Sequence, residues 1–266
     1  MLSRRRLLTL LAASGSAAAL SACGVTTPES EQSSGGAYCV ARGSLDAHRT
    51  LGDLPLVYEV NERRSSFSFE PGFYAQLDGW LRDYVQASGL PAPDEVRSYG
   101  GWTNGGTSCD SWHNAGRAFD LAGLRRGDET LVSCRYDQWQ AQSGAALERS
   151  LRGYWALAAS LHRQFSYVLT YLYNPQHHNH IHLDNGRSGA GPSTLSTRST
   201  VQVQAVQAIC THLWDTPVEI TGRWDQATRQ ATRQVLDRLE IPADLDEGVD
   251  AWSGFLTAST GRGGDS

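Results

Sequence analysis

Two short segments of the sequence are rich in side chains that bind metals. The first contains His113 and Asp120, and the second is a histidine-rich run that includes His180 and His182. In a β-strand, alternate side chains lie on one face, so His180 and His182 are expected to point into one cleft. A surface histidine tract that scavenges metal is the alternative for the second segment. The two segments together predict one metal site.

Zinc is the ion that these residue types favour. Catalytic zinc sites take three protein ligands and leave a fourth position for water, and we expect His113, Asp120 and His182 to supply the three. A water activated by zinc still needs a neighbour that takes its proton and later protonates the leaving amine. His180 and His177 are therefore the expected catalytic residues.

Other side chains are expected around this site. Asp184 lies two residues after His182 on the same strand face, where it would accept the second ring N–H of a histidine. Arg97 and Arg117 would receive a substrate carboxylate through paired N–H donors, although structural ion pairs are the alternative. Tyr99 is expected to form a wall of the cleft, with core packing as its alternative.

The first segment resembles a known zinc-peptidase signature. The signature is S-x-H-x-x-G-x-A-x-D, and it is matched here by Ser111, His113, Gly116, Ala118 and Asp120. It occurs in D-Ala-D-Ala carboxypeptidases and their relatives, which include lysostaphin, the penicillin-insensitive murein endopeptidases and the hedgehog signalling domain. The resemblance implies that Ser111 supports the ligands from outside the metal site.

The second segment is similar to the H-x-H of the same group. In that group the latter histidine binds zinc and the former assists catalysis, which implies that His182 is the ligand and His180 the helper. The position of His177 resembles an additional catalytic histidine of the murein endopeptidases. The chain lacks the Glu-x-x-His of the carboxypeptidase branch, which favours the branch that uses histidines.

Over residues 37–186 the chain resembles the bacterial extensin-like C-terminal family. The matching parts are Ser98-Tyr99, the segment 111–120 and the H-x-x-H-x-H-x-D pattern of 177–184. Phe119 departs from this pattern, since a small or aliphatic residue is common there. The resemblances imply a zinc metallopeptidase, a DD-carboxypeptidase- or endopeptidase-like hydrolase that cleaves peptidoglycan stem peptides or cross-links. The alternative is a non-catalytic cell-wall-binding lipoprotein with a structural zinc site.

Periodic patterns predict the elements that position these residues. Apolar residues at three- and four-residue steps predict helices over 71–88 and 144–164, and β-branched and aromatic residues predict strands within 91–102 and over 167–173. The predicted fold class is α+β: a small antiparallel sheet with flanking helices carrying a zinc cleft, plus a small all-α C-terminal domain.

The expected domains follow composition along the chain. They are an export signal with a lipobox (1–23), a flexible tether (24–36), a catalytic domain (37–188), a linker (189–199), a three-helix domain (200–260) and a disordered tail (261–266). The three-helix segment resembles a small peptidoglycan-binding domain. A helical cap that packs on the catalytic domain is the alternative.

The N-terminal segment predicts export. Three arginines precede an apolar run rich in Ala and Leu, and Leu20-Ser21-Ala22-Cys23 resembles a bacterial lipobox, which implies lipidation of Cys23. A plain cleaved signal with a chance cysteine is the alternative. Lipidation would hold the protein on the outer face of the cytoplasmic membrane, at the cell wall.

Four cysteines remain, an even number in an oxidising compartment, and they predict two disulfides. Three connectivities are open, and we favour Cys109 with Cys134 and Cys39 with Cys210. The net charge of −5, with no basic patch, argues against nucleic acid as a partner. The expected partners are peptidoglycan and, through the anchor, the membrane, and the expected state is a monomer.

Overall fold

A mixed β-sheet forms the centre of the fold. The computed structural model describes residues 39–104, 109–186 and 189–264. Within them the strands are β1 (Asp46–His48), β2 (Thr50–Leu51), β3 (Leu54–Tyr58), β4 (Arg63–Arg64), β5 (Phe67–Phe69), β6 (Glu95–Gly100), β7 (Ala118–Arg126), β8 (Glu129–Ser133), β9 (Tyr167–Leu169) and β10 (Ile181–Asp184).

Eight of the described strands form one sheet in the order β2-β3-β6-β7-β10-β9, with β4 paired to β3 and β8 paired to β7. β1 and β5 form a separate two-stranded sheet. In the larger sheet β3 and β6 run parallel, whereas β7 is antiparallel to β6, β8 and β10. The α+β class agrees with this mixture, but the sheet is larger than predicted and is not wholly antiparallel.

Helices flank the sheet. They are α1 (Pro71–Ala87), α2 (Tyr136–Trp139), α3 (Gly144–Gln164), α4 (Thr200–Leu213), α5 (Gln226–Arg238) and α6 (Val249–Thr260), together with short 3-10 helices at Arg42–Ser44, Trp112–Ala115, Pro175–His177 and Gly261–Gly264. α1 and α3 confirm the helices predicted from periodicity. α1 begins after Glu70, whose carboxylate accepts hydrogen bonds from two backbone N–H groups of the first turn.

α3 contacts both the sheet and the C-terminal helices. Its buried residues, such as Trp155 and Leu161, belong to one apolar cluster that also includes residues of α1, β7, α4 and α6. The described residues form one compact unit, in which the predicted C-terminal domain packs directly on α3. Residues 261–264, expected in a disordered tail, form a 3-10 helix against α3, where Gly263 fits because a Cβ would lie 2.8 Å from Ala156.

Two local predictions need correction. The strand predicted over 167–173 ends at Leu169, because the chain turns before Pro175. The predicted disulfide pairs are wrong, since Cys39 bonds Cys109. Val40 donates a backbone hydrogen bond to the carbonyl of Asn114, which brings the start of the described chain beside the loop of Cys109.

Cys134 and Cys210 carry free thiols that are completely buried in the apolar cluster. Burial raises the pKa of Cys210 to about 12 and raises that of Cys134 further. Both therefore act as small apolar side chains.

The predicted export signal, the lipidation of Cys23 and the tether lie outside the described residues. Among the helices that are described, none combines the length and apolar character needed to cross a bilayer.

Candidate metal centre

Three side chains from distant parts of the chain meet at one point. The Nε2 atom of His113 lies 3.2 Å from Oδ1 of Asp120 and 3.1 Å from Nδ1 of His182. The same Asp120 oxygen lies 3.0 Å from Nδ1 of His182. These three atoms, called the ligand cluster below, could hold one metal ion between them.

The spacing of the ligand cluster can be compared with zinc geometry. Zinc bonds of about 2.1 Å at tetrahedral angles separate neighbouring ligand atoms by about 3.4 Å. The distances of 3.0–3.2 Å are therefore close to those that a tetrahedral ion requires. Two imidazoles and one carboxylate are also a donor set that suits zinc.

Asp120 and His182 meet because their strands pair. β7 and β10 are antiparallel, and the register places His182 directly opposite Asp120. Behind the ligand cluster, Nε2 of His182 donates to Oδ2 of Asp184 over 3.3 Å. Oδ1 of Asp184 accepts from the backbone N–H of Gly186. This chain of contacts fixes the ring of His182 and turns its Nδ1 to the ligand cluster.

His113 is positioned by a 3-10 helix rather than by a strand. Ser111 and Asn114 form a capping box at the start of Trp112–Ala115, in which Ser111 Oγ accepts from the His113 N–H. Nδ1 of His113 lies 2.6 Å from the carbonyl oxygen of Gly101. Because a carbonyl only accepts, Nδ1 carries the proton and Nε2 keeps its lone pair toward the ligand cluster.

The glycine of the signature also has a structural role here. Gly116 ends the 3-10 helix with a φ of +68°. A Cβ at this position would lie 2.8 Å from the side chain of Leu45 and 3.0 Å from the backbone nitrogen of Glu70. Only glycine combines the left-handed conformation with this close approach.

The charges within the ligand cluster are strongly coupled. Burial opposes ionisation of Asp120, but the adjacent His113 and His182 rings outweigh it and hold the Asp120 pKa well below the usual carboxyl value. Burial likewise opposes charge on His182, yet hydrogen bonds to Asp120 and Asp184 raise its pKa to about 10. Asp120 is thus an anionic donor, and a proton competes with a cation for Nδ1 of His182.

His177 and His180 lie beside the ligand cluster. Nε2 of His180 is 3.4 Å from Oδ1 of Asp120, and the ring of His177 lies 5.1 Å from that of His180 and 6.0 Å from that of His182. Burial, with smaller contributions from neighbouring histidines, lowers the pKa of His177 to about 3. Burial also lowers the pKa of His180. Both rings are therefore neutral near pH 7.

Residues 95–194 match the family model described as Extensin-like protein C-terminus. This match supports the extensin-like C-terminal family for the segment. No curated protein and no solved structure shows a significant match to the chain. The ligand cluster, His177 and His180 all lie within this extensin-like segment, whereas Cys39 and helices α4–α6 lie outside it.

The residues predicted to contact substrate differ in their distance from the ligand cluster and in their partners. The ring of Tyr99 lies 5.9 Å from that of His180, at the edge of the site. Arg97 is not a free donor, because it is buried and forms ion pairs with Glu59, Glu62 and Glu95. These contacts agree with the structural ion pairs given as the alternative for Arg97.

Arg117 is held by the loop after β10. Its Nε and Nη2 donate to the side-chain oxygen and the carbonyl of Asn185, and its guanidinium lies 5.2 Å from the Trp112 ring centre. These contacts attach the start of β7 to the end of β10. They support the strand pair that carries two of the three ligand atoms.

Three polar groups at the site were missed from the sequence. They are the Gly101 carbonyl that accepts from His113, and the side chains of Asn174 and Asn179, which contact His177 and His180. A backbone carbonyl leaves no signal in a sequence. The Asn-Pro pair at 174–175 is a turn signal, and it marks the start of the loop that holds both asparagines.

Proposed function

We propose that the protein is a zinc-dependent peptidase that hydrolyses amide bonds in peptidoglycan stem peptides or cross-links. The observation that carries the proposal is the ligand cluster: three donor atoms of zinc-binding type, 3.0–3.2 Å apart, with two more histidines beside them. A site needed only for structure has no use for His177 and His180.

His113, Asp120 and His182 would hold the zinc ion. When bound, the ion would polarise a substrate carbonyl and make water a nucleophile near neutral pH. The protein contributes the orientation of the three donors: the Gly101 carbonyl and Asp184 each accept the proton of the outer ring nitrogen of a ligand histidine. Both ligand rings are thereby held with their inner nitrogens toward the ligand cluster.

We assign the proton transfers to His177 and His180, called the accessory histidines below. His180 is the nearer, since its Nε2 lies 3.4 Å from the Asp120 oxygen of the ligand cluster. A neutral imidazole accepts the proton that water loses on attack and then returns a proton to the leaving amine. His177, stacked at an angle against His180, supplies a second acceptor at the same edge.

The bacterial cell wall is the substrate favoured by three independent resemblances. The S-x-H-x-x-G-x-A-x-D and H-x-H patterns are similar to wall-cleaving zinc peptidases, the C-terminal helices are similar to a peptidoglycan-binding domain, and the N-terminal segment resembles a lipoprotein export signal. Together they favour an exported enzyme anchored at the outer face of the cytoplasmic membrane.

The test combines metal analysis with digestion of purified peptidoglycan. The protein should bind one zinc per chain and release muropeptide fragments, and mass spectrometry of those fragments would identify the bond that is cut. His180→Ala should keep the zinc and lose at least about 100-fold in rate, because it removes only the proton acceptor.

His178→Ala is the matched control. His178 lies in the same loop, but its ring packs on Tyr136 rather than on the ligand cluster. This variant should retain wild-type activity. Zinc bound at one per chain with no bond cleaved in any wall preparation would overturn the proposal in favour of a wall-binding lipoprotein with a structural metal.

A further inference from the structure

Each accessory histidine has an asparagine side chain in contact with its Nδ1 atom. Asn174 stands at the N-cap of the 3-10 helix Pro175–His177, where an asparagine side chain commonly accepts from a backbone N–H. Here it makes no such bond, and its Oδ1 lies 2.6 Å from Nδ1 of His177. The cap side chain is thus directed at the imidazole instead of the backbone.

Asn179 makes the equivalent contact to His180. Its Oδ1 lies 2.6 Å from Nδ1 of His180. The loop itself is tied down by the Asp137 N–H, which donates to the carbonyl of His178.

These contacts select a tautomer. An amide oxygen accepts hydrogen bonds and donates none, so each Nδ1 that it contacts carries a proton. A neutral imidazole has a single N–H, which leaves Nε2 of both rings with a lone pair. For His180, a competing arrangement would place the proton on Nε2 toward Asp120, but that contact is 3.4 Å against 2.6 Å to Asn179.

We propose that Asn174 and Asn179 are positioning residues that hold His177 and His180 in the Nδ1–H tautomer, so that Nε2 of each ring is free to accept a proton in the cleft. The inference rests on the proposed hydrolytic function for its consequence in catalysis. The tautomers themselves are a property of the protein and can be measured without substrate.

The first experiment is nitrogen-15 NMR of the histidine rings in the purified full chain at neutral pH, with resonances assigned through His177→Gln and His180→Gln. We expect a proton on Nδ1 and none on Nε2 in both rings. Asn179→Leu should remove this preference in His180 and leave His177 unchanged. A wild-type protein with the proton on Nε2 of His180 overturns the inference, whether or not the protein hydrolyses peptidoglycan.

The second experiment separates positioning from folding. Asn179→Leu should lower kcat about 10- to 100-fold with KM and zinc content unchanged, and Asn179→Asp, which keeps an acceptor oxygen, should restore most of the loss. Asn61→Leu, in an exposed turn where Asn61 accepts from the Arg63 N–H, is the matched control and should keep wild-type kcat.

The outcomes distinguish the two proposals. Inactive wild type with the expected tautomers would defeat the hydrolytic function alone. Active wild type with equal kcat in Asn179→Leu and Asn179→Asp would defeat the positioning role alone. If Asn179→Leu does not fold, the wild-type tautomers and the activity of Asn179→Asp still decide, because loss of activity in Asn179→Asp would contradict a role as acceptor.

Discussion

Two regions of the protein bury histidines in opposite ways. In the ligand cluster, His182 is enclosed by carboxylates on both ring nitrogens, and its pKa rises to about 10. Between α3 and α6, His162 is 0% exposed, neither ring nitrogen has a hydrogen-bond partner among the described residues, and burial lowers its pKa to about 3. The same side chain is thus held by carboxylates in one region and packed as an apolar filler in the other.

This difference predicts that the two regions affect different properties, catalysis in one and stability in the other. The ligand cluster depends on polar contacts between residues far apart in the chain, so substitutions there should change chemistry more than stability. The α3–α6 region depends on apolar packing around Trp252, which is 1% exposed, so substitutions there should change stability more than chemistry.

The largest effect is expected for Asp120→Asn. It removes the anionic ligand at nearly constant volume, so bound zinc should be lost and hydrolysis should fall by at least about 1000-fold, or about 4 kcal/mol in activation free energy. Metal analysis and peptidoglycan digestion measure both. In metal-free protein the unfolding midpoint should stay within a few degrees of the wild type, and a variant that kept zinc and activity would show that Asp120 is no ligand.

Trp252→Ala should lower stability and leave activity per folded molecule unchanged. It empties a large buried volume and leaves Ser193 without the indole N–H that it accepts, at a cost of about 3–5 kcal/mol in the free energy of unfolding. Urea denaturation measures the loss, and Trp252→Phe should lose less. Activity per folded molecule should be unchanged, and a specific loss of kcat would break the separation of the two regions.

Because of His162, we expect the free energy of unfolding to depend on pH. Its folded pKa of about 3 lies below the unfolded value of about 6.5, so the unfolded chain binds more protons in this range. Its contribution is therefore complete above about pH 6.5 and is lost as the pH falls toward 3. Between pH 6.5 and 4.5 the loss is at most about 2–3 kcal/mol, since one pH unit corresponds to about 1.4 kcal/mol.

His162→Leu supplies the comparison for this prediction. The variant should show a smaller fall in unfolding free energy over the same pH range, measured by denaturation at each pH. Equal slopes for the variant and the wild type would mean that His162 becomes protonated without unfolding the region.

The smallest effect is expected for Ser111→Ala. It removes the cap that accepts from the His113 N–H, which should cost about 1 kcal/mol of stability and loosen the His113 ligand slightly. Denaturation and zinc titration measure these changes. Ser44→Ala, in an exposed 3-10 turn, is the control, and an equal response in both variants would argue against a specific role for the Ser111 cap.

Local features of the sequence were sufficient to predict the long helices. α1 and α3 each show an apolar stripe at helical spacing, and Pro71 marks the first turn of α1. The convergence of His113, Asp120 and His182 was also predicted from their types and spacing, and these side chains do lie together. The strands between 46 and 69 were not predicted, because each is only two to five residues long and carries too few alternations for a pattern.

Other features depend on which distant segments pair. The Cys39–Cys109 bond follows from the contact between Val40 and Asn114, which no local pattern reveals. The ion pairs of Arg97 arise because the parallel pairing of β3 and β6 places Glu59, just after β3, beside the arginine. The sequence near Arg97 therefore did not indicate that its charge is neutralised by ion pairs.

The direct pairing of His182 with Asp120 has a consequence for how the protein acquires its site. A shift of β10 by one residue would place Ile181 or Leu183 opposite Asp120 and turn the imidazole to the other face of the sheet. Neither one-residue shift keeps both ligands of these strands on one face of the sheet. The metal-binding capacity of the chain during refolding should therefore appear together with the β7–β10 ladder, and a bound ion would select the native alignment over its neighbours.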